Sequence, residues 1–196
     1  MRHRFLSIAA VALLAGCGGG AATPPALPGT WSPPPGRRPQ VTLAPGATLA
    51  IPVRGIRPEQ LRDSYDSGRS GGRTHHAIDI LAPRGTAVVA AADGTIFRLR
   101  EGGLGGITLY QVDRDGRTLY YYAHLQRYAA GIRAGLPVWR GQVIAYVGDT
   151  GNAGRGNYHL HFSVSHPESM RRWWEGENTN PYPLLAGERA RHTEGR

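Results

Sequence analysis

The chain is interrupted too often to build long helices. It carries 28 glycines and 15 prolines among 196 residues, about a fifth, where roughly an eighth is ordinary. In a helix interior glycine costs about 1 kcal/mol and proline about 3 kcal/mol relative to alanine, so a coiled coil or long-helix bundle is excluded. Between the breaks lie short apolar, β-branched and aromatic runs: Thr48–Val53, Ala77–Leu81, Thr86–Ala91, Thr95–Leu99, Ile107–Val112, Thr118–Ala123, Gln142–Val147 and Leu160–Val164. Asp93-Gly94 and Asp115-Gly116 fall between such runs, where hairpin turns favour residues tolerant of positive φ. The only helix candidates are Pro58–Arg62 and Glu168–Trp174. Strand-like runs at about 8–12-residue spacing, with so few helices, predict a mostly β domain. The expected architecture is an antiparallel β-sheet or sandwich with short peripheral helices.

The N-terminus speaks to compartment. Arg2 and Arg4 precede an apolar run, Phe5–Leu14, that ends in Ala15-Gly16-Cys17. That is the layout of a secretory signal, and it is shorter than the roughly 20 apolar residues of a transmembrane helix. Leu14-Ala15-Gly16-Cys17 also resembles a bacterial lipobox, in which the cysteine is lipidated and becomes the new N-terminus. The bland alternative is a plain signal peptide with an incidental cysteine. The sequence therefore divides into a lipoprotein signal peptide (1–16), a lipidated Cys17 with a Gly/Pro-rich tether (17–46), a folded domain (47–187) and a polar tail (188–196). Triple glycine at Gly18-Gly19-Gly20 and triple proline at Pro33-Pro34-Pro35 favour disorder or polyproline II in the tether. Such a chain is expected in the cell envelope, lipid-anchored through Cys17 with its domain in the periplasm, at the outer membrane.

Charge and cysteine count exclude further classes. All 23 basic residues are arginine, against 14 acidic ones, for a formal charge of +9. A basic surface suits nucleic acid, an anionic membrane or a carboxylate-rich polymer. The export signal counts against nucleic acid. A single cysteine rules out an internal disulfide framework or a cysteine-based zinc cluster.

Histidine placement is the informative feature. Six of the eight histidines lie between positions 75 and 166. In His159-Leu160-His161-Phe162-Ser163-Val164, period two puts both histidines on one strand face and the apolar residues on the other. Side chains two apart are about 6.6 Å apart along the strand, close enough to converge on one site. A histidine pair on a solvated strand is the plain alternative. In His75-His76-Ala77-Ile78-Asp79 a straight strand would separate His75 from Asp79 by about 13 Å, too far to share a metal. The segment must bend if the two coligate. Taken alone, both residues read equally well as surface groups. Tyr122-Ala123-His124-Leu125 supplies another histidine, which alone fixes no role. Two histidines and a carboxylate suit a catalytic zinc, because three protein ligands leave a fourth position for water. Spacing does not choose between His159 and His161 as ligand.

At these residues the chain resembles the lysostaphin/LytM-type zinc metallopeptidases of the bacterial cell wall. The resemblance runs over roughly 53–185 and rests on His75-His76-Ala77-Ile78-Asp79-Ile80, Ala82-Pro83-Arg84-Gly85-Thr86, Ala91-Ala92-Asp93-Gly94, Tyr122-Ala123-His124-Leu125, Gly148-Asp149-Thr150-Gly151-Asn152 and His159-Leu160-His161-Phe162. It implies one Zn2+ per domain on His75, Asp79 and His161, with His159 as the catalytic base. His124 would assist by hydrogen bonding the oxyanion or the nucleophile. It implies hydrolysis of amide bonds in peptidoglycan stem peptides or cross-links; together with the anchored N-terminal layout, family analogy points to a D,D-endopeptidase cutting between D-alanine and diaminopimelate, and a regulatory protein partner is left open. Two positions depart from the family pattern: Ala77 stands where many members carry glycine, and Ser163 where an acidic residue is common. The competing reading is a non-hydrolytic wall-binding module that activates other hydrolases; the full ligand set favours the enzyme.

Other motifs carry less. Gly102-Gly103-Leu104-Gly105-Gly106 lacks the strand–helix setting of a dinucleotide fingerprint. Gly148–Gly156 reads as a flexible loop feeding the histidine strand. Trp173-Trp174 could stack on sugar, although adjacent tryptophans usually serve packing. Arg155 and Arg171-Arg172 could meet peptide carboxylates, or simply be solvated. Trp31 could pack back onto the domain, and His166 and His192 have no evident partner.

Overall fold

The computed structural model describes residues 31–69 and 72–187. The expected signal segment, Cys17, the tether up to residue 30, the tail 188–196 and His192 lie outside the described residues. Among those described, a small hairpin of β1 (Gly68–Arg69) and β2 (Arg73–Thr74) stands apart from one nine-stranded sheet. Its strands are β3 (Ile78–Leu81), β4 (Ala87–Val89), β5 (Gly94–Arg100), β6 (Ile107–Asp113), β7 (Leu119–Tyr128), β8 (Pro137–Val138), β9 (Val143–Val147), β10 (His159–His166) and β11 (Glu177–Thr179). Every described pairing is antiparallel. The mostly β expectation is met.

The sheet forks, and the fork positions the chemistry. The main path runs β11-β10-β7-β6-β5-β8. Along one edge of β7, Leu119 to Ala123 pair with β10, whereas Leu125 to Tyr128 pair with β9, which continues to β4. The change of partner falls at His124. Similarly, β10 pairs with β3 over His159 to Phe162 and with β11 over Val164 to His166.

Alternation sorts each strand. Leu160, Phe162 and Val164 of β10 are buried with Ile78 and Ile80 of β3 and Tyr122 of β7, while His161, Ser163 and Ser165 face the other way. Full burial of each such apolar side chain contributes about 1.5–3 kcal/mol. Two polar side chains within this core, Tyr122 and Gln111, satisfy each other and the backbone. The Tyr122 hydroxyl donates to Gln111 Oε1 (2.7 Å) and accepts from Ala91 N (3.0 Å), and Gln111 Nε2 donates to Ala92 O (2.8 Å). A smaller cluster of Phe97, Val112, Leu119, Met170 and Trp173 lies apart from the main core.

Several expectations need correction. Thr48–Val53 is not a strand: Pro52 has no N–H, so only a bridge from Val53 to Val88 and scattered bonds such as Ala50 N to Ala91 O (2.9 Å) form. Asp115-Gly116 does turn the β6–β7 hairpin, with Gly116 at φ 71°, but Asp93-Gly94 turns no hairpin. Gly94 instead opens β5 so close to β6 that a Cβ would overlap Val112 O. The two helix candidates are 3-10 segments, Pro58–Gln60 and Met170–Glu175, the second kinked at Arg172. The α-helix was missed: α1 (Pro181–Ala186) is capped by the Asn180 side chain on Tyr182 N (2.9 Å) and tolerates Pro181 in its first turn.

Residues 31–46, expected within the free tether, have no regular structure but lie against the domain. Trp31 Nε1 donates to Gly94 O (2.7 Å), its ring meets Trp139 edge-on at 5.3 Å, and Arg38 pairs with Asp93 (2.7 Å). Asp93 also accepts from Arg140 N (2.8 Å).

Candidate metal centre

His75, Asp79 and His161 converge because the chain bends where a straight strand would have kept them apart. His76 adopts φ 52°, so the chain turns before β3 begins at Ile78. Ala77 is fully buried in this bend, so its methyl is accommodated. Asp79 and His161 are direct cross-strand partners. His75 Nε2 lies 3.0 Å from Asp79 Oδ1 and 3.0 Å from His161 Nδ1, and the latter is 3.2 Å from Asp79 Oδ1. Donors about 2.0–2.1 Å from a tetrahedral zinc would be about 3.3 Å apart, so two imidazole nitrogens and a carboxylate oxygen in this triangle fit that ion. These three residues form the described group able to hold a metal. His76 stays outside it, its ring edge-on to Tyr65 at 5.5 Å.

Backbone carbonyls fix the rings. His75 Nδ1 donates to Ser64 O (2.9 Å), which leaves Nε2 bare toward the triangle, and Ser64 Oγ accepts from Asp79 N (3.2 Å). Sequence reading missed Ser64, which belongs to no motif and reaches the site only through the fold.

The other two histidines face the same space. His159 Nδ1 donates to Asn157 O (2.9 Å) and His124 Nδ1 to Thr150 O (2.8 Å). A carbonyl only accepts, so Nδ1 of each ring is a donor, and in the neutral form the ring presents a bare Nε2. His159 Nε2 is 3.8 Å from Asp79 Oδ1, and the His124 and His159 ring centroids are 4.9 Å apart. Burial is the main influence lowering the His124 pKa, to about 4, against the opposing bond to Thr150, so the ring is neutral near pH 7. A cation bound beside it would act in the same direction.

His124 is also held in left-handed backbone, φ 58°, which costs about 1–2 kcal/mol outside glycine. His76 and His124 are the only non-glycine residues with positive φ among those described. Both border the site, where such strain is commonly retained.

The five residues line a cavity of about 550 Å³ with Thr74, Leu104, Tyr121 and Asn152 at its walls. Tyr121 is another residue that sequence reading left unassigned. Burial, then the Tyr110 phenol beside it, push its own phenol well above the ordinary range, so it remains protonated. The Gly102–Gly106 loop is a wall of this cavity and is close-packed: a Cβ at Gly105 would overlap the Tyr121 hydroxyl, and one at Gly106 the Thr150–Gly151 backbone. The remaining candidates lie elsewhere. Trp173 is buried against Phe97 and Tyr110, Trp174 is exposed, Arg172 pairs with Glu175 (2.9 Å), and His166 lies beside Thr118 and Asp115.

Comparison with known proteins agrees with this geometry. The chain is 34% identical over 123 residues to the L-Ala--D-Glu endopeptidase of Bacillus subtilis (strain 168), covering 60% of this chain and 36% of the relative. It is 41% identical over 93 residues to the DD-carboxypeptidase/endopeptidase Mpg of Neisseria meningitidis serogroup B (strain MC58), covering 47% and 20%. Thus it spans only about a third and a fifth of those relatives. Among solved structures, the catalytic domain of lysostaphin from Staphylococcus simulans superposes with a TM-score of 0.50 at 26% identity, covering 65% of this chain and 94% of that one. The pattern of Peptidase family M23 matches residues 73–181, which span all five site residues, and the chain belongs to that family.

Proposed function

We propose that the domain is a zinc-dependent endopeptidase that hydrolyses amide bonds in peptidoglycan stem peptides or cross-links. The observation that carries this reading is the triangle of His75 Nε2, Asp79 Oδ1 and His161 Nδ1 facing the rings of His124 and His159 across one cleft. A zinc ion on those donors would lower the pKa of a water toward neutrality and polarise the substrate carbonyl. His159, with bare Nε2, is placed to take a proton from the attacking water and return it to the leaving amine. For His124, a bare Nε2 favours one of the two roles expected from the resemblance. It can accept a hydrogen bond from the water, whereas donating to an oxyanion would require either the imidazolium that burial disfavours or loss of the Nδ1 bond to Thr150. Second partners on Nδ1 keep both rings turned toward the cleft.

The two curated relatives are named for different bonds, L-Ala--D-Glu in one and a DD-activity in the other, so the family supports wall-peptide cleavage more firmly than any one bond. The D,D cross-link between D-alanine and diaminopimelate is the reading we retain. Its support is the anchored layout of the N-terminus, which also motivates placing the protein in the periplasm, attached through Cys17. The test is mass analysis of purified cross-linked muropeptide dimers incubated with the zinc-loaded full-length chain in detergent. Conversion to monomer, absent with His161→Ala, supports the enzyme, and the product masses name the bond. Binding without conversion would replace it with the wall-binding module.

A further inference from the structure

We propose that Thr150 is a positioning residue for His124: its carbonyl selects the ring's tautomer, and its hydroxyl clamps the segments that hold that carbonyl in place. The inference deepens the peptidase reading and rests on it.

His124 sits where β7 leaves β10 for β9, a point at which no regular ladder fixes it. Its backbone N–H goes to Gly105 O (2.9 Å) and its ring Nδ1 to Thr150 O (2.8 Å). Both acceptors belong to loops. Those loops are joined through one side chain: Thr150 Oγ1 donates to Leu125 O (2.7 Å), the residue after His124, and accepts from Ile107 N (3.0 Å), the first residue of β6. Asn152 N to Leu104 O (2.9 Å) ties the same loops a second time. The fit is close, because a Cβ at Gly106 would overlap Thr150 Oγ1 and one at Gly151 would overlap Leu104 O. Thr150 O therefore has a defined position beside the ring.

That position has a chemical consequence. A free neutral histidine prefers its proton on Nε2. An acceptor at Nδ1 reverses the preference and turns the bare Nε2 into the cleft. With the other tautomer, His124 would present an N–H there and could not accept from a water. Valine at 150 has nearly the same shape as threonine but leaves Ile107 N–H and Leu125 C=O without their partner, freeing the loop. Serine keeps the hydroxyl.

The decisive measurement is nitrogen NMR of the full-length, metal-free chain with labelled histidine, His124 being assigned by its loss in His124→Gln. The wild type and Thr150→Ser should carry the proton on Nδ1, while Thr150→Val should show a mixture of tautomers. In zinc-loaded protein acting on muropeptide dimers, Thr150→Val should lower kcat at least about tenfold with KM within about threefold, and Thr150→Ser should restore kcat to within about threefold. A merely structural role would move stability without moving the tautomer. A wild-type proton on Nε2 overturns the proposal, as does Thr150→Val retaining the Nδ1 tautomer. If the valine variant fails to fold, Thr150→Ala repeats the comparison without the added methyl. The NMR arm stands even if no muropeptide is cleaved, so failure of this proposal and failure of the peptidase reading are told apart.

Discussion

At the Arg100 end of β5 the fold gathers five polar side chains, two left-handed histidines and crowded glycine loops, whereas at the Gly94 end it packs Trp31, Trp139, Arg38 and Asp93. Seven residues of strand, about 20 Å, separate the two. At the cleft, backbone bonds serve to orient rings, and burial is tolerated for what the rings can then accept. At the far end, Arg38 lies over Trp139 (5.0 Å), Arg114 over Trp31 (4.5 Å), and the Asp93 carboxylate is shared between Arg38 and Arg140 N. Those contacts orient no reacting group. One end of the sheet thus orients the candidate reacting groups, and the other holds residues 31–46.

The contrast can be broken from either side. His159→Gln removes the proposed base while leaving Leu160, Phe162 and Val164 in the core. It should lower kcat by about 10²–10⁴-fold and leave the melting temperature of the metal-free protein unchanged; a comparable loss of stability would mean that the cleft end is structural after all. Trp31→Ala should do the opposite, costing about 1–2 kcal/mol in denaturant unfolding with kcat intact. A fall in kcat there would show that the two ends are coupled.

The smallest effect concerns the β6–β7 turn. Burial opposes ionisation of Asp115, but hydrogen bonds from Arg117 N, Thr118 Oγ1 and Thr118 N outweigh it and hold its carboxyl below the ordinary value. A depressed folded pKa gives stability that is present above about pH 4 and lost as pH falls through the folded value. The protection factor of the turn amides, with the intrinsic exchange rate divided out, should therefore fall on acidification below pH 4 in the wild type and less so in Asp115→Asn. Equal acid response in both would assign the effect to other groups.

Much of the cleft was legible because alternation is local. His159 and His161 share a face by strand period, and the 13 Å span from His75 to Asp79 demanded the bend that His76 supplies. What escaped has no local marker. A left-handed backbone at His124 follows from a fork between strands distant in sequence, and Ser64 meets His75 and Asp79 only through the fold. The docking of Trp31 needs Gly94 and Trp139, which are far along the chain. Pro52 and Pro181 misled in opposite directions: one interrupts a run that reads as a strand, and the other opens a helix in a segment that reads as coil.

The proposed division of labour gives metal binding to His75, Asp79 and His161 and proton handling to His124 and His159. Calorimetric titration of zinc into the metal-free full-length chain and its single variants tests it most directly. One site is expected in the wild type, with loss of that site in His75→Ala, Asp79→Ala and His161→Ala, and retention in His124→Gln and His159→Gln with affinity within about tenfold. Loss of zinc binding in either of the last two, or its survival in any of the first three, would overturn this division of labour.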